Sequence, residues 1–351
     1  MPTTSIGRRL VAALPDLART AAAAPVALAV GVALACLAGP AAAASQAAPS
    51  AVAEPAPEAA SSPGRPATAT KDVRRIAVVS AFEPEWQSLE GDLVDPQMVR
   101  INGTDFVTGK LAGKDVVLFL SGVSMVNAAM TTQLALDRFD VEAIVFSGIA
   151  GGVDPALDIG DVVVAERWGE YLEAVFARKD GGGWQLPPHA TTPFDNYGMI
   201  FPQPVEVRSG RTAKPEKRFW FEADRHLLEI ARAVSKRVPL ERCAAADTCL
   251  SQAPKIVVGG SGVSGMAFVD NADFRQYVAK TFDASVLDME SAALAHVAYA
   301  NDVPFIAFRS LSDLAGGGEG ANEMATFFSL ASENSARVVK AFVAAMPAEA
   351  R

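Results

Sequence analysis

Three short polar clusters each contain an acidic side chain that could take part in acid–base chemistry. They carry Glu85, Glu290 and Asp313, and each is preceded by a run of apolar residues. Carboxyl groups that share one site can divide the roles of proton donor, base and charge stabiliser among them. Taken singly, each acid is more typical of a helix cap or of a partner for the helix dipole. Acid–base chemistry is therefore indicated only if folding brings the three clusters together.

The apolar runs before these clusters have the composition of buried strands, and helical patterns separate them. Strands are predicted in a hairpin of residues 104–111 and 115–120, near Val286, and over residues 76–79, 143–146, 162–165, 256–258 and 305–308. Helices are predicted near Pro84, over residues 127–139, 224–236 and 290–300, and after Gly320. This alternation predicts a three-layer α/β/α sandwich with a central mixed, largely parallel twisted sheet. Because the carboxyl ends of such strands line a ligand crevice, we expect the three acidic clusters to face one site.

The segment of residues 167–221 lacks this regularity. It combines glycine and proline clusters with scattered aromatic residues, among them Trp184, Phe194 and Tyr197. Long loops in compact domains are typically functional lids or poorly ordered excursions, and the aromatic residues argue against simple disorder. We therefore expect an elaborated loop here.

Composition limits the class of ligand. The chain of 351 residues carries a formal net charge of −9, so it has no general electrostatic attraction for nucleic acid or an anionic membrane. A small neutral or zwitterionic ligand fits this charge better. His189, His226 and His296 are too dispersed to indicate a metal site, and the glycine-rich segment 147–152 lacks the spacing of a dinucleotide motif. We predict no metal and no cofactor.

The N-terminal region is expected to lie outside the folded domain. Residues 1–45 have the arginine pair, the uncharged stretch and the small-residue run of an export signal, and residues 46–72 have the composition of a disordered linker. The uncharged stretch is rich in Ala, Gly and Pro, which favours cleavage over retention as a membrane anchor. Sec or Tat export and a lipid on Cys36 stay open. The domain, residues 73–348, is then periplasmic or secreted without stable membrane insertion.

Two cysteines remain once the signal is removed. Cys243 and Cys249 are separated by five residues and have no histidine near them in the sequence. In an oxidising compartment such a pair is a reasonable disulfide and a poor metal site. Two free thiols are the alternative.

Six ordered motifs resemble those of the methylthioadenosine and adenosylhomocysteine nucleosidases within the nucleoside phosphorylase superfamily. The motifs are A-F-E-P-E at residues 81–85, S-G-V with V-N-A-A at 121–129, S-G-I-A-G-G with I-G-D-V-V at 147–163, S-G with A-F-V at 264–269, D-M-E-S-A-A at 288–293, and R-S-L-S-D at 309–313. The resemblance covers about residues 75–345. It implies hydrolysis of the N-glycosidic bond of an adenine nucleoside, which yields adenine and a ribose derivative.

The resemblance implies roles for the residues on the base and sugar sides. Breaking the bond needs an acid beside the base, an anion beside the developing oxocarbenium ion and an activated nucleophile. Asp313, oriented by Ser312, would hydrogen-bond the purine and supply the proton of the leaving group. Glu290 would accept hydrogen bonds from the ribose hydroxyls, and Met289 would pack beneath the sugar.

Further roles follow for the water and the base. Glu85, helped by Arg309, would orient and deprotonate the attacking water. Ile149 stands near that water, where the bacterial nucleosidases often have Ser. Phe268 would stack on the base, and the main chain around Phe268 and Val269 would read its edge.

The first loop separates hydrolysis from phosphorolysis. Phosphate-using relatives carry a Gly-Asp-Pro-x-Arg type sequence there, whereas this chain has F-E-P-E at residues 82–85. Two glutamates would repel phosphate, and a glutamate suits water activation. A phosphate-dependent purine nucleoside phosphorylase and a non-catalytic nucleoside-binding or storage protein are the alternatives. The family also implies a homodimer in which the neighbouring subunit closes the pocket.

Overall fold

The structure, a computed structural model, describes residues 71–318 and 320–347. These residues belong to one compact unit. The expected signal peptide, Cys36 and the linker up to residue 70 lie outside the described residues. Among the helices of the described part, none combines the length and the apolar character needed to cross a bilayer.

The described residues form twenty strands and six helices. The strands are β1 Arg74–Ser80, β2 Val94–Ile101, β3 Thr104–Leu111, β4 Lys114–Leu120, β5 Asp140–Gly152, β6 Val162–Val164, β7 Arg167–Glu170, β8 Ala174–Phe176, β9 Arg178–Asp180, β10 Gly183–Gln185, β11 Ile200–Pro202, β12 Val205–Val207, β13 Glu216–Arg218, β14 Trp220–Glu222, β15 Cys243–Ala245, β16 Thr248–Cys249, β17 Ile256–Val258, β18 Ser261–Ser264, β19 Ala284–Asp288 and β20 Phe305–Asp313. The helices are α1 Glu83–Glu90, α2 Met125–Arg138, α3 Arg225–Ser235, α4 Ala272–Phe282, α5 Ser291–Ala300 and α6 Met324–Ala345.

Twelve of the strands form one mixed sheet. Its main path runs β14-β7-β18-β19-β5-β1-β4-β3-β2, with β20 paired to β5 and β6, and β17 paired to β6. Strands β1, β4, β5 and β20 are joined by parallel pairs, whereas β2, β3 and β4 form an antiparallel meander. Two groups of helices flank the sheet, since α6 packs with α1 and α3, and α2 packs with α5. The predicted α/β/α sandwich with a mixed, largely parallel sheet is confirmed.

Local sequence accounts for strand β1 and helix α3. Residues 76–79 of β1 are at most 1% exposed, as expected for an apolar run in the centre of a covered sheet. Helix α3 begins after Asp224, whose side chain accepts a hydrogen bond from the Leu227 amide at 3.0 Å. Its buried face then repeats with helical spacing at Leu227, Ala231 and Val234.

Two strands extend beyond their predicted ends, and both extensions carry site residues. The run at 143–146 is part of β5, which continues through the glycine-rich segment to Gly152. The run at 305–308 is part of β20, which continues to Asp313. The two extensions pair with each other in parallel, because the glycines allow close approach of the neighbouring chain. The cluster around Asp313 therefore lies within a strand rather than after one.

The segment of residues 167–221 is not the irregular loop that its sequence suggests. Strands β7 and β14 at its two ends pair with each other at the edge of the main sheet. Between them lie the two-stranded pairs β8–β11, β9–β10 and β12–β13. Phe194 anchors the segment, with its ring centroid 4.2 Å from that of Phe219 and 5.1 Å from that of Phe282. Aromatic packing thus organises a region whose glycines and prolines indicated a loop.

A short hairpin precedes β17. Strands β15 and β16 are antiparallel, and a disulfide joins Cys243 to Cys249 across them. Leu250, the next residue, packs with Ile159, Phe327 and Leu330. The hairpin is therefore tied to the start of helix α6.

Candidate active site

One cavity brings the three acidic clusters together. Its volume is about 240 Å³, and its walls come from the loop after β1, the ends of β5 and β19, strand β20 and the start of α6. Glu85, Glu290 and Asp313 all line it, although more than 200 residues separate the first from the other two. The other predicted site residues on its wall are Ile149, Phe268, Val269, Met289, Arg309 and Ser312.

Glu85 is held by main-chain amides. Its Oε2 accepts hydrogen bonds from the Ala81 amide at 2.6 Å and the Phe82 amide at 3.3 Å, and its Oε1 accepts one from the Ile149 amide at 2.8 Å. The side chain is 1% exposed, and this burial raises the pKa of the carboxyl, whereas Arg309 and the three amides act in the opposite direction. An ionised carboxylate has about four lone-pair sites, so one is left to accept a hydrogen bond from a bound molecule.

Arg309 is the cation of the cavity. Its Nε lies 2.9 Å from Oδ2 of Asp288, and its Nη2 donates a hydrogen bond of 3.1 Å to Oε2 of Glu290. Its guanidinium carbon lies 4.4 Å from the centroid of the Phe146 ring. Among the described residues, its Nη1 has no hydrogen-bond partner, although the group is buried. That N–H group is a donor available to a small ligand.

Glu290 faces the loop before helix α2. Its Oε1 accepts a hydrogen bond of 2.7 Å from the Ser124 amide. Ser124 has φ of +78°, a conformation that residues with a side chain rarely adopt, and such conformations concentrate at functional sites. Burial raises the pKa of Glu290 to about 7, with Arg309 acting against the shift and Asp288 with it. The two oxygens of Glu290 therefore bridge Arg309 and the main chain of the Ser124 loop.

Asp313 is the last residue of β20 and has its own set of hydrogen-bond donors. Its Oδ1 accepts a hydrogen bond of 2.8 Å from the Ala315 amide, and its Oδ2 accepts one of 3.0 Å from the Ser312 hydroxyl. The Asn322 side-chain amide also approaches Oδ1, at 3.4 Å. Burial raises the pKa of Asp313 above its ordinary value. The hydrogen bonds from Ala315, Ser312 and Asn322 act in the opposite direction, because they favour the ionised carboxylate.

The remaining lining is mostly apolar. Phe268 is 57% exposed and Val269 is buried beside it. Met289 follows Asp288 at the end of β19, and Met324 comes from the start of α6. Such a wall suits a flat aromatic ring and an apolar substituent better than a second charged group.

Gly148 makes room for the two polar groups that meet at the end of β5. A Cβ atom at this position would lie 2.3 Å from Nη1 of Arg309 and 2.5 Å from Oε1 of Glu85. Both distances are far below van der Waals contact. The missing side chain therefore lets the guanidinium and the carboxylate reach one point in front of the strand.

Sequence reasoning missed several residues that shape this site. Asp288 accepts hydrogen bonds from the hydroxyls of Ser264 and Ser291 and from the amides of Glu290 and Ser291. The sequence signal for Asp288 was its position as the first residue of the D-M-E-S-A-A motif. Ser124, Asn322 and Met324 carried no recognisable signal, because they meet the site only through long-range packing.

No residue of segment 167–221, all of which is described, lines the cavity. Across the described ranges, no group of three or more His, Cys, Asp and Glu side chains is placed to hold a metal ion.

Comparisons with known proteins agree with the geometry. Residues 75–344 match the family described as the Phosphorylase superfamily. A 5′-methylthioadenosine/S-adenosylhomocysteine nucleosidase from Tolumonas auensis is 29% identical over 272 residues, which cover 77% of this chain and 98% of that protein.

Solved structures of proteins with the same description superpose on the chain. The enzyme from Colwellia psychrerythraea in complex with adenine has a TM-score of 0.57 at 26% identity, covering 77% of this chain and 95% of its own. The enzyme from Neisseria meningitidis in complex with methylthio-immucillin-A has a TM-score of 0.56 at 25% identity, covering 78% of this chain and all of its own.

Proposed function

The chain belongs to the phosphorylase superfamily and is an N-ribosyl hydrolase within it, and from this premise we propose that it releases adenine from 5′-methylthioadenosine and S-adenosylhomocysteine. One observation carries the proposal. Glu85, Glu290 and Asp313 line a single cavity of about 240 Å³ that also contains Phe268 and a wall of apolar side chains. An adenine nucleoside with a thioether on its 5′ carbon offers a flat base, a polar ribose and a largely apolar tail.

Asp313 is the acid of the proposed reaction. As the glycosidic bond breaks, negative charge develops on the purine, and protonation at N7 makes the base a better leaving group. Burial raises the pKa of Asp313 above its ordinary value, which favours its role as the acid, and the Ser312 hydroxyl and Ala315 amide fix the carboxyl in place. Phe268 stacks on the departing ring, with the backbone of Val269 beside it.

Glu290 is the anion beside the sugar. It accepts hydrogen bonds from the ribose hydroxyls, and its negative charge stabilises the positive charge that develops on the ribose. Arg309 and the Ser124 amide hold its two oxygens in place before the substrate arrives. Met289 supplies an apolar surface beneath the sugar.

Glu85 activates the water. Its one remaining lone-pair site accepts a hydrogen from the water, and the unpartnered Nη1 of Arg309 donates to the water oxygen. The water loses a proton to Glu85 as its oxygen bonds to the anomeric carbon, and Asp313 gives a proton to the base. The products are adenine and a ribose derivative with a free anomeric hydroxyl.

The charge of the cavity favours water over phosphate as the nucleophile. Four carboxyl groups line it, at Glu85, Asp288, Glu290 and Asp313, and Arg309 is its only lining cation among the described residues. Arg309 already contacts two of those carboxylates. A phosphate dianion would therefore enter an environment with an excess of negative charge.

We also propose that the protein is a homodimer. Two exposed apolar side chains, Val123 and Phe268, line the cavity. Three further exposed apolar side chains are those of Val126, Met130 and Met266. A second copy that covers these residues would bury them and close the mouth of the cavity. A Val126→Arg change should shift the sedimentation coefficient to that of the monomer and raise KM, whereas a Trp184→Ala change elsewhere should do neither.

Export to the periplasm or the medium is a further proposal. It rests on the signal-like sequence of residues 1–45 and on the Cys243–Cys249 disulfide, a bond that persists in oxidising compartments. Cell fractionation with sequencing of the mature N-terminus tests it. A cytosolic protein with an intact N-terminus would refute it.

The decisive experiment measures adenine release from a panel of adenine nucleosides with and without phosphate. We expect release without phosphate, fastest for the two thioether nucleosides. Glu85→Gln and Asp313→Asn should each lower kcat by about 10²-fold to 10⁴-fold, as expected for loss of acid–base catalysis. Release that requires phosphate would establish a phosphorylase, and binding without release would establish a nucleoside-binding protein.

A further inference from the structure

Ser335 on helix α6 places its hydroxyl between strands β5 and β20. The hydroxyl donates a hydrogen bond of 2.9 Å to the carbonyl oxygen of Phe308 on β20. It accepts one of 3.0 Å from the amide of Gly148 on β5. Strands β5 and β20 are parallel, and Gly148 lies opposite Arg309 in their register. One helix side chain therefore bonds to the backbone of both strands and bridges them at this level.

The bridge uses the full hydrogen-bonding capacity of the hydroxyl. A serine hydroxyl has one hydrogen to donate and two lone pairs to accept with. Because the Phe308 carbonyl takes the hydrogen, the Ser147 hydroxyl must donate in its 3.0 Å contact with Ser335. Ser335, Ser147 and Phe308 are each at most 1% exposed, so water cannot replace a lost partner without a rearrangement.

Each end of the bridge is one residue away from a group in the active site. On β5, Gly148 is followed by Ile149, whose amide donates to Oε1 of Glu85 at 2.8 Å. On β20, Phe308 is followed by Arg309. The spacing of the two strands at this level therefore determines how far Glu85 stands from the guanidinium. Gly148 packs closely against the side chains of Glu85 and Arg309, since a Cβ atom at this position would come within 2.5 Å of both.

We propose that Ser335 is a positioning residue for hydrolysis, which sets the separation of Glu85 and Arg309 by bridging the Gly148 amide and the Phe308 carbonyl. This inference rests on the proposed roles of Glu85 and Arg309 in holding the water. Ser335 touches neither substrate nor water. It acts through the backbone of the two strands, at the point where they enter the cavity.

Ser332 provides a matched control on the same helix. It lies one turn before Ser335, is also 1% exposed, and its hydroxyl has no hydrogen-bond partner among the described residues. A Ser332→Ala change removes a buried hydroxyl of the same kind without touching the bridge. The pair of variants therefore separates the bridge from the general effect of losing a buried polar atom.

The experiment compares the wild type, Ser335→Ala and Ser332→Ala in phosphate-free adenine release from methylthioadenosine across pH. We expect Ser335→Ala to lower kcat by about 10-fold to 100-fold, because small misplacements of reacting groups have effects of this size. KM should change by less than about 2-fold, since no ribose or base contact is lost. The acid limb of the kcat profile should move to higher pH, because the Ile149 amide that lowers the pKa of Glu85 is displaced. Ser332→Ala should match the wild type.

Three results would overturn the proposal. The first is a folded Ser335→Ala protein with the kcat and pH profile of the wild type. The second is a loss of kcat in Ser332→Ala that equals the loss in Ser335→Ala. The third concerns folding. If Ser335→Ala does not fold, Ser335→Cys takes its place, with folding checked by circular dichroism. Failure of both to fold would show that the hydroxyl is needed for stability rather than for positioning. A wild type that releases no adenine would instead refute the proposed function itself.

Discussion

The guanidinium of Arg309 and the carboxylate of Asp288 form an ion pair, with Nε 2.9 Å from Oδ2, and both side chains are at most 2% exposed. Asp288 also accepts hydrogen bonds from the amides of Glu290 and Ser291 at the start of α5. One buried carboxylate thus orients both the cation of the cavity and the backbone that carries Glu290. Arg309 in turn contacts Glu290 at 3.1 Å, so the three side chains form one connected group.

Removal of Asp288 should therefore destabilise the fold as well as the site. Breaking a buried ion pair from one side leaves an uncompensated charge, and such changes typically lower the unfolding free energy by about 3–5 kcal/mol. We expect a loss of this size for Asp288→Ala in urea unfolding. The control is Glu241→Ala, which removes an exposed partner 2.7 Å from Arg337 and should cost less than about 1 kcal/mol. Equal losses in the two variants would contradict the assigned role of Asp288.

A methyl group at position 148 should lower the rate of the enzyme, because it displaces Arg309 and Glu85. In Gly148→Ala the new Cβ would meet Nη1 of Arg309 at 2.3 Å and Oε1 of Glu85 at 2.5 Å, so both groups must move. A displacement of about 1 Å at a reacting group can lower the rate about 10²-fold. Gly182→Ala is the control, because a Cβ at Gly182 meets nothing within 4 Å. A Gly148→Ala enzyme with normal kcat would show that the close approach has no catalytic importance.

Much of this architecture follows from the sequence because its signals are local. Apolar runs such as residues 76–79 and 256–258 have strand composition, and β17 spans Ile256–Val258 as predicted. The hairpin of β3 and β4 is confirmed, with its first strand at Thr104–Leu111. The nine site residues could be named because their motifs occur in a fixed order, and the structure places all of them on one cavity.

The parts that escaped prediction depend on contacts between distant segments. Glycines at 148, 151 and 152 are typical of loops, but pairing of Gly148 and Gly151 with β20 and of Gly152 with β19 makes them part of a strand. Ser335 lies 187 positions after Gly148, to which it is hydrogen-bonded, and no spacing rule within α6 indicates this contact. Asp288 was overlooked as an organiser because a motif does not show how many donors will converge on an oxygen. Segment 167–221 was misread since its order comes from aromatic packing on α4 rather than from periodicity.

The stability of the free enzyme should depend on pH through Glu290. Burial raises the pKa of this carboxyl to about 7, from an ordinary value near 4.5. Between these values the folded protein binds more protons at Glu290 than the unfolded chain does, so the contribution of this group to stability falls as pH rises and levels off above about 7.

Urea unfolding of the wild type and Glu290→Gln at intervals from pH 4.5 to pH 8 measures this contribution. The glutamine cannot titrate, so the unfolding free energy of the wild type should decrease relative to that of the variant through this window. A difference that stays constant from pH 4.5 to pH 8 would show that Glu290 has the same pKa in both states.

The disulfide between Cys243 and Cys249 should stabilise the fold without taking part in the chemistry. It closes a loop short enough that the chain-entropy relation gives about 2 kcal/mol. Its hairpin also holds Leu250 against Phe327 and Leu330 of α6, the helix that follows β20 in the chain. We therefore expect a Cys243→Ser, Cys249→Ser double variant to unfold at a lower temperature while its kcat at 25 °C stays within about 2-fold of the wild type. Reduction of the wild type should lower its Tm to that of the double variant, and the Tm of the double variant should not change on reduction. A large loss of kcat on reduction would contradict this prediction, because it would show that the hairpin affects the active site.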